Sequence, residues 1–129
     1  MTDASFPAGI TAVTLFADDL AATRQFYVDV FRLPVYFEDE VSVVFKFGTT
    51  LINLLSAPEA VGLIAPAPVG GPDSAPRAQF TITVNDVDAV AALVVDRGAT
   101  LLNGPMDRPW GIRTAALRDP AGNVWEIAS

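Results

Sequence analysis

A glutamate sits inside the last apolar run of the chain, Val124-Trp125-Glu126-Ile127. Strand side chains alternate between faces, so Val124 and Glu126 share one face while Trp125 and Ile127 share the other. The tryptophan face reads as core. The glutamate face is then solvent, a salt bridge or the wall of a cavity. Three roles are open to Glu126: a general base, an acceptor for a ligand amine or hydroxyl, or a structural carboxylate satisfied by Arg113, Lys46, Gln79 or water. It is the sole candidate for a catalytic group. A second notable side chain is Trp110, in the loop Pro109-Trp110-Gly111. It is suited to stacking on a planar or cationic ligand, and equally to anchoring the loop or a dimer contact.

Composition narrows the chemistry. The chain has 129 residues with neither histidine nor cysteine. Disulfides and thiolate chemistry are excluded, and the usual acid–base residue and commonest metal ligand are missing. A metal would have to rely on oxygen ligands. Fifteen acids against eight bases give a net charge of −7, which disfavours nucleic acid, where a basic footprint is expected. The acidity favours a cationic ligand, though salt screens such attraction beyond about 8 Å. No apolar run reaches transmembrane length, and the N-terminus, MTDASFPAG, is acidic, so neither a membrane span nor a leader is expected. The expectation is a cytoplasmic protein.

The elements that position these residues follow from periodicity. Ile10 to Ala17 alternates as a strand. Asp18 or Asp19 caps a helix from Leu20 to Phe31, with Leu20, Thr23, Tyr27 and Val30 along one stripe. Leu33-Pro34 stops it. Val35 to Phe37 is extended, Glu38-Asp39-Glu40 turns, and Val41 to Phe47 and Leu51 to Leu55 form a hairpin. Residues 57–78, with five prolines and three glycines, read as a connector. Gln79 to Val84 is again a strand. Asp86 caps a helix with Val87, Val90, Ala91 and Val94 as its stripe, and Gly98 ends it. Thr100 to Leu102 is a short strand. Ile112 to Leu117 and Val124 to Ile127 close the chain around the turn Asp119-Pro120-Ala121-Gly122-Asn123.

This is an internal duplication. Ala12 and Gln79 are 67 residues apart, as are Asp19 and Asp86. Each half reads β-α-β-β-β. The reading is one α+β domain over 1–129: module one at about 8–56, connector at about 57–78, and module two at about 79–129. The two modules form a curved mixed-sheet cup. Ala12, Asn53, Gln79 and Glu126 fall at equivalent places in it. Leu51, Leu55, Val124, Thr81, Thr83, Thr14 and Phe16 share their faces.

Three segments carry a family resemblance. They are Val13-Thr14-Leu15-Phe16-Ala17-Asp18-Asp19-Leu20 with Phe26-Tyr27, then Val84-Asn85-Asp86-Val87-Asp88, and then Pro109-Trp110-Gly111 with Asp119 to Asn123 and Trp125-Glu126-Ile127. Together they resemble the vicinal oxygen chelate superfamily, which includes glyoxalase I, extradiol dioxygenases and bleomycin-resistance proteins. The resemblance implies a glyoxalase/bleomycin-resistance-like fold and a homodimer. In metal-dependent members the ligands stand at the four cup positions. Here only Glu126 keeps a ligand type, so no metal and no other cofactor is expected. The closest character is that of the metal-free bleomycin-resistance-like members, which bind a drug without chemistry.

The function expected is therefore small-molecule binding of the glyoxalase/bleomycin-resistance type. A compact, cationic or aromatic ligand would be sequestered or sensed through Phe16, Asn53, Gln79, Trp110 and Glu126. The alternative is a metal-independent isomerase or lyase with Glu126 as base and Gln79 or Asn53 donating to a developing enolate oxygen. A third reading is a structural or partner-binding module, which predicts no sizeable pocket.

Overall fold

The computed structural model describes residues 4–129. The first residues of the acidic N-terminal stretch, read above as arguing against a leader, lie outside the described residues. Two four-stranded mixed sheets are built by the same chain path. In the first, β1 (Ala12–Ala17) leads to α1 (Leu20–Phe26), then to β2 (Val35–Glu38), β3 (Ser42–Phe47) and β4 (Thr50–Ser56), ordered β1-β4-β3-β2. In the second, β5 (Gln79–Thr83) leads to α3 (Val87–Asp96), preceded by a helix α2 (Ala57–Ile64) in the connector. Strands β6 (Leu101–Asp107), β7 (Arg113–Arg118) and β8 (Val124–Ala128) follow, ordered β5-β8-β7-β6. In each sheet the first strand pairs parallel with the last and the others are antiparallel.

The starts of α1 and α3 use the same device. Asp19 Oδ1 accepts from the Ala22 amide at 3.0 Å, and Asp86 Oδ1 accepts from the Ala89 amide at 3.1 Å. Each satisfies one of the amides a helix start leaves unpaired. α1 does not end at Phe26. It widens into a π-helical turn, Tyr27–Phe31, closed by Arg32 in the left-handed region at φ +54°. The stripe runs through it: Thr23, Tyr27 and Val30 are all buried.

A shared core joins the modules. Leu15, Val43, Phe45, Ile52 and Leu54 of the first sheet pack in one cluster with Leu117 and Trp125 of the second. Phe45 and Phe47 point into this core, whereas Lys46, on the other face, stands over the Tyr36 ring at 5.9 Å. Trp125 is the hub. Its ring stacks on Phe47 at 6.0 Å and meets Phe31 and Phe80, each at 5.2 Å. Burying each such side chain contributes about 1.5–3 kcal/mol.

Two expectations needed correcting. The connector is not structureless: its first eight residues form α2, with Pro58 in the first turn. Proline is tolerated there because its missing N–H would have had no helical partner. The strand expected at Thr100 to Leu102 runs instead over Leu101–Asp107. Its register against β7 shifts twice, between Leu101 and Asn103 and between Asn103 and Met106. Those irregularities carry Gly104-Pro105 through a ladder that proline cannot fully join.

Candidate functional site

The faces opposite the shared core carry the polar residues. On the second sheet the pairings put Asn103, Ala116, Glu126 and Thr81 in one row across β6, β7, β8 and β5. The Glu126 carboxylate is held by two neutral donors: Thr81 Oγ1 at 3.0 Å and Gln79 Nε2 at 3.2 Å. Gln79 and Thr81 are exposed and Glu126 is half-buried. No cation pairs with Glu126 among the described residues. Of the partners expected for it, Gln79 is the one found. Arg113 is taken by Asp88 and Asp107 on the opposite face.

The first sheet repeats the arrangement. Its equivalent row is Phe37, Val44, Asn53 and Thr14. Asn53 Nδ2 donates to Thr14 Oγ1 at 3.3 Å. Where Gln79 serves Glu126, the equivalent Ala12 has no polar atom to offer. Asn53 Oδ1 is buried and accepts no hydrogen bond among the described residues. Phe16, half-buried on the same strand face as Thr14, borders a recess of about 420 Å³. The connector residues Ile64, Ser74 and Arg77 and the turn residue Asn123 wall its other side. Tight contact holds that turn, since a Cβ on Gly122 (φ +92°) would lie 2.5 Å from the Pro72 carbonyl oxygen.

The predicted residues therefore fall in three places. Gln79 and Glu126 are brought together, with Thr81. Asn53 pairs with Thr14 on the other sheet, with Phe16 alongside. Trp110 stands apart, 68 % exposed, on a turn closed by the Gly111 amide donating to the Arg108 carbonyl. No hydrogen bond among the described residues joins the Asn53 group to the Glu126 group.

Arg108 and Asn103 were missed by sequence reasoning. The Arg108 side chain turns back from the loop onto β6 and β7. Its Nε donates to Thr114 Oγ1 at 2.9 Å and its Nη2 to Asn103 Oδ1 at 3.1 Å. The only signal was an arginine opening the Arg-Pro-Trp-Gly loop, and nothing in that string tells which way it points.

The four cup positions do not offer the donor set of a transition-metal site. Ala12 has no donor atom. Asn53 and Gln79 offer neutral amides, both with their nitrogens turned to neighbouring oxygens. One carboxylate remains, whereas such ions are held by imidazole, thiolate or several carboxylates. Among the described residues no three acidic, histidine or cysteine side chains cluster as a metal site.

Comparisons with known proteins agree with this architecture. A glyoxalase-related enzyme from Fulvimarina pelagi superposes with a TM-score of 0.80 at 20 % identity, over 95 % of this chain and 88 % of that one. Lactoylglutathione lyase from Agrobacterium tumefaciens superposes at 0.75 with 29 % identity, over 95 % and 93 %. "Putative glyoxylase CFP32" of Mycobacterium tuberculosis is 33 % identical over 118 residues, which is 88 % of this chain and 44 % of that longer protein. The Glyoxalase/Bleomycin resistance protein/Dioxygenase superfamily model matches residues 9–127, and the chain belongs to that family.

Proposed function

We propose that this protein binds a compact organic ligand without a metal, in a cup completed by a second copy of the chain. Homodimerisation would set the Asn53 face of one protomer against the Glu126 face of its partner. The observation that carries this reading is the unpaired Asn53 Oδ1. A buried acceptor left unsatisfied costs about 1–3 kcal/mol, and such groups are rare without a partner to meet. Ala12, at the place that Gln79 holds in the second sheet, has no side-chain donor to offer it. The two faces also complement each other. One presents Phe37, Val44 and half-buried Leu51 and Leu55, and the other presents Glu126, Gln79, Thr81 and Asn103. Apolar contact with a few placed polar groups is how small ligands are held. The equivalent edge strands support pairing, since Val35, Tyr36 and Phe37 on β2 and Leu102 and Met106 on β6 are all exposed apolar side chains.

A second reading is a metal-independent isomerase or lyase. It is favoured by one feature: Thr81 and Gln79 fix the Glu126 carboxylate in one orientation, as a general base requires. The glyoxylase and lyase relatives are consistent with it.

The test is a small-molecule panel of cations, neutrals and anions, with divalent metals chelated, followed by tryptophan fluorescence and ligand-observed NMR. Light scattering gives the mass in parallel. Saturable binding lost in Asn53→Leu and Glu126→Gln, on a dimer that Phe37→Glu splits, supports the reading. Substrate turnover lost in Glu126→Gln with binding kept would move the assignment to the enzyme. A monomer whose panel response ignores all three substitutions would overturn the proposal.

A further inference from the structure

The arginines of the described residues divide by what they touch. Arg24 is bound to Glu38 at 2.7 Å, and Arg113 to Asp88 at 2.7 Å and Asp107 at 3.1 Å. These pairs tie α1 to β2 and α3 to β7. Arg108 differs. It is half-buried, in a chain with 15 acids, yet touches no carboxylate among the described residues. Two neutral oxygens hold it, Thr114 Oγ1 and Asn103 Oδ1. Thr114 is 1 % exposed, which anchors that end of the fork in the sheet. A guanidinium fixed by neutral groups keeps its full charge for another partner and loses little rotamer freedom on meeting one.

Its place on the sheet says what that partner touches next. Thr114 lies two residues from Ala116 on β7, so the two share a face, and Ala116 is paired with both Asn103 and Glu126. Arg108 therefore lies over the same face as Glu126. Between them the floor is Ala116, the smallest side chain that a strand offers short of glycine. Strands stand about 4.8 Å apart, which puts the guanidinium and the Glu126 carboxylate roughly 7–10 Å from each other. Two hydrogen bonds of about 2.8 Å leave roughly 1.5–4.5 Å for a ligand to span.

We propose that Arg108 is the anion-recognising residue of this cup, and that the ligand is a small carboxylic acid bearing a hydroxyl or amine on its second or third carbon. The carboxylate meets the free N–H groups of Arg108, and the hydroxyl or amine donates to Glu126 across Ala116. This rests on the ligand-binding reading above. It also reconciles an acidic chain with an anionic ligand: net charge governs long-range attraction, and the local guanidinium governs what is held. A ligand amine would retain the cation at Glu126 that the composition favours.

The experiment uses the full chain and matched pairs of 2- and 3-hydroxy acids and amino acids with their carboxamides, read by tryptophan fluorescence and ligand-observed NMR. Each acid is expected to bind at least about tenfold more tightly than its amide, the loss expected for a charge-assisted pair. Arg108→Gln should abolish that ratio, and Arg108→Lys should restore part of it. The acid-to-amide ratio in the parent protein needs no variant, so a folding defect in Arg108→Gln does not spoil the test. If acids and amides bind alike, sensitive to Glu126→Gln but not to Arg108→Gln, the anion proposal falls and the ligand-binding reading stands. If no pair binds, and the broader panel is equally silent to Asn53→Leu, both fall.

Discussion

The Tyr27 hydroxyl donates to Asp119 Oδ2 at 2.6 Å while accepting from Trp125 Nε1 at 2.9 Å. It joins the first helix to the turn that precedes the last strand, 92 residues away. Asp119 is itself the organiser of that turn. Its Oδ1 accepts from the Ala121 and Asn123 amides, both at 2.9 Å, and its Oδ2 from Asn123 Nδ2 at 3.0 Å. Tyr27, Asp119 and Trp125 are all buried, and each polar side-chain atom of the three has a partner. This network fixes the two modules to each other, and so fixes where each half of the cup points.

Tyr27→Phe keeps the ring and removes the link. Trp125 Nε1 is then buried without an acceptor, and Asp119 loses its shortest hydrogen bond. The expected cost is about 1–3 kcal/mol, read as a lower urea midpoint with unchanged slope. The variant also changes the alkaline limb. Burial first, then the Asp119 charge and hydrogen bond, push the Tyr27 hydroxyl well above the usual tyrosine range. The folded state keeps its proton where the unfolded chain releases it. Stability is thus fully present below about pH 10 and declines as pH rises above it. Tyr27→Phe should show a flatter decline, and an equal slope in both proteins would refute the assignment.

The acid limb belongs to surface carboxylates. The Arg113 hydrogen bond holds Asp88 below the usual carboxylate range, and the Arg24 hydrogen bond does the same for Glu38. A depressed value means the contribution is present above about pH 4 and is lost as pH falls through the folded value. Asp88→Asn should therefore change the unfolding midpoint slightly at pH 7. Between about pH 4 and pH 2 it should lose less stability than the parent, and salt at about 1 M should shrink both differences. Matching acid limbs at low salt would count against the Asp88–Arg113 pair.

Much of this architecture was legible because the two modules repeat one local grammar. Alternation marked β1 and β5, Asp19 and Asp86 marked the helix starts, and the 67-residue spacing aligned Ala12 with Gln79. The same alternation sent Trp125 to the core and Glu126 to the other face. What stayed hidden was where local signals conflict with context. Pro58 and Gly62 disguised α2, although proline is harmless in a first turn. Gly104-Pro105 disguised the length of β6, because a bulged edge strand accepts what a regular ladder refuses. Arg108 was invisible for a different reason: a loop side chain has no periodicity, and its direction is decided by Thr114 and Asn103. The orphaned Asn53 oxygen likewise depends on the sheet register, which sets Ala12 where the second sheet has Gln79.

Gly104 and Gly62 should respond oppositely to alanine. At Gly104, φ is +83°, and a Cβ would lie 2.4 Å from the Thr114 carbonyl oxygen and 2.7 Å from the Ala115 Cα. Both obstacles are backbone, so β6 must move off β7. Gly104→Ala should lose more than about 1–2 kcal/mol, and should disturb Arg108 through Thr114. Gly62 lies in α2 with nothing within 4 Å of where an added methyl group would sit, and Gly62→Ala should gain about 0.5–1 kcal/mol. Thermal midpoints moving the same way in the two variants would contradict this account of β6 and α2.

Asn53→Leu separates stability from function. The native side chain makes one long bond, from Nδ2 to Thr14 at 3.3 Å, and buries Oδ1 unpaired. Leucine is of similar size and removes the unsatisfied acceptor. Thr14 is exposed, so its hydroxyl turns to water at little cost. The variant is expected to be as stable as the parent, or up to about 1 kcal/mol more stable. Ligand binding should nonetheless fall at least about tenfold, because the amide on the cup side of the sheet is gone. A group that weakens the fold and is needed by the ligand is one kept for function. If Asn53→Leu instead lowers the urea midpoint and leaves binding intact, the Asn53 amide is a structural group and the cup reading loses its main support.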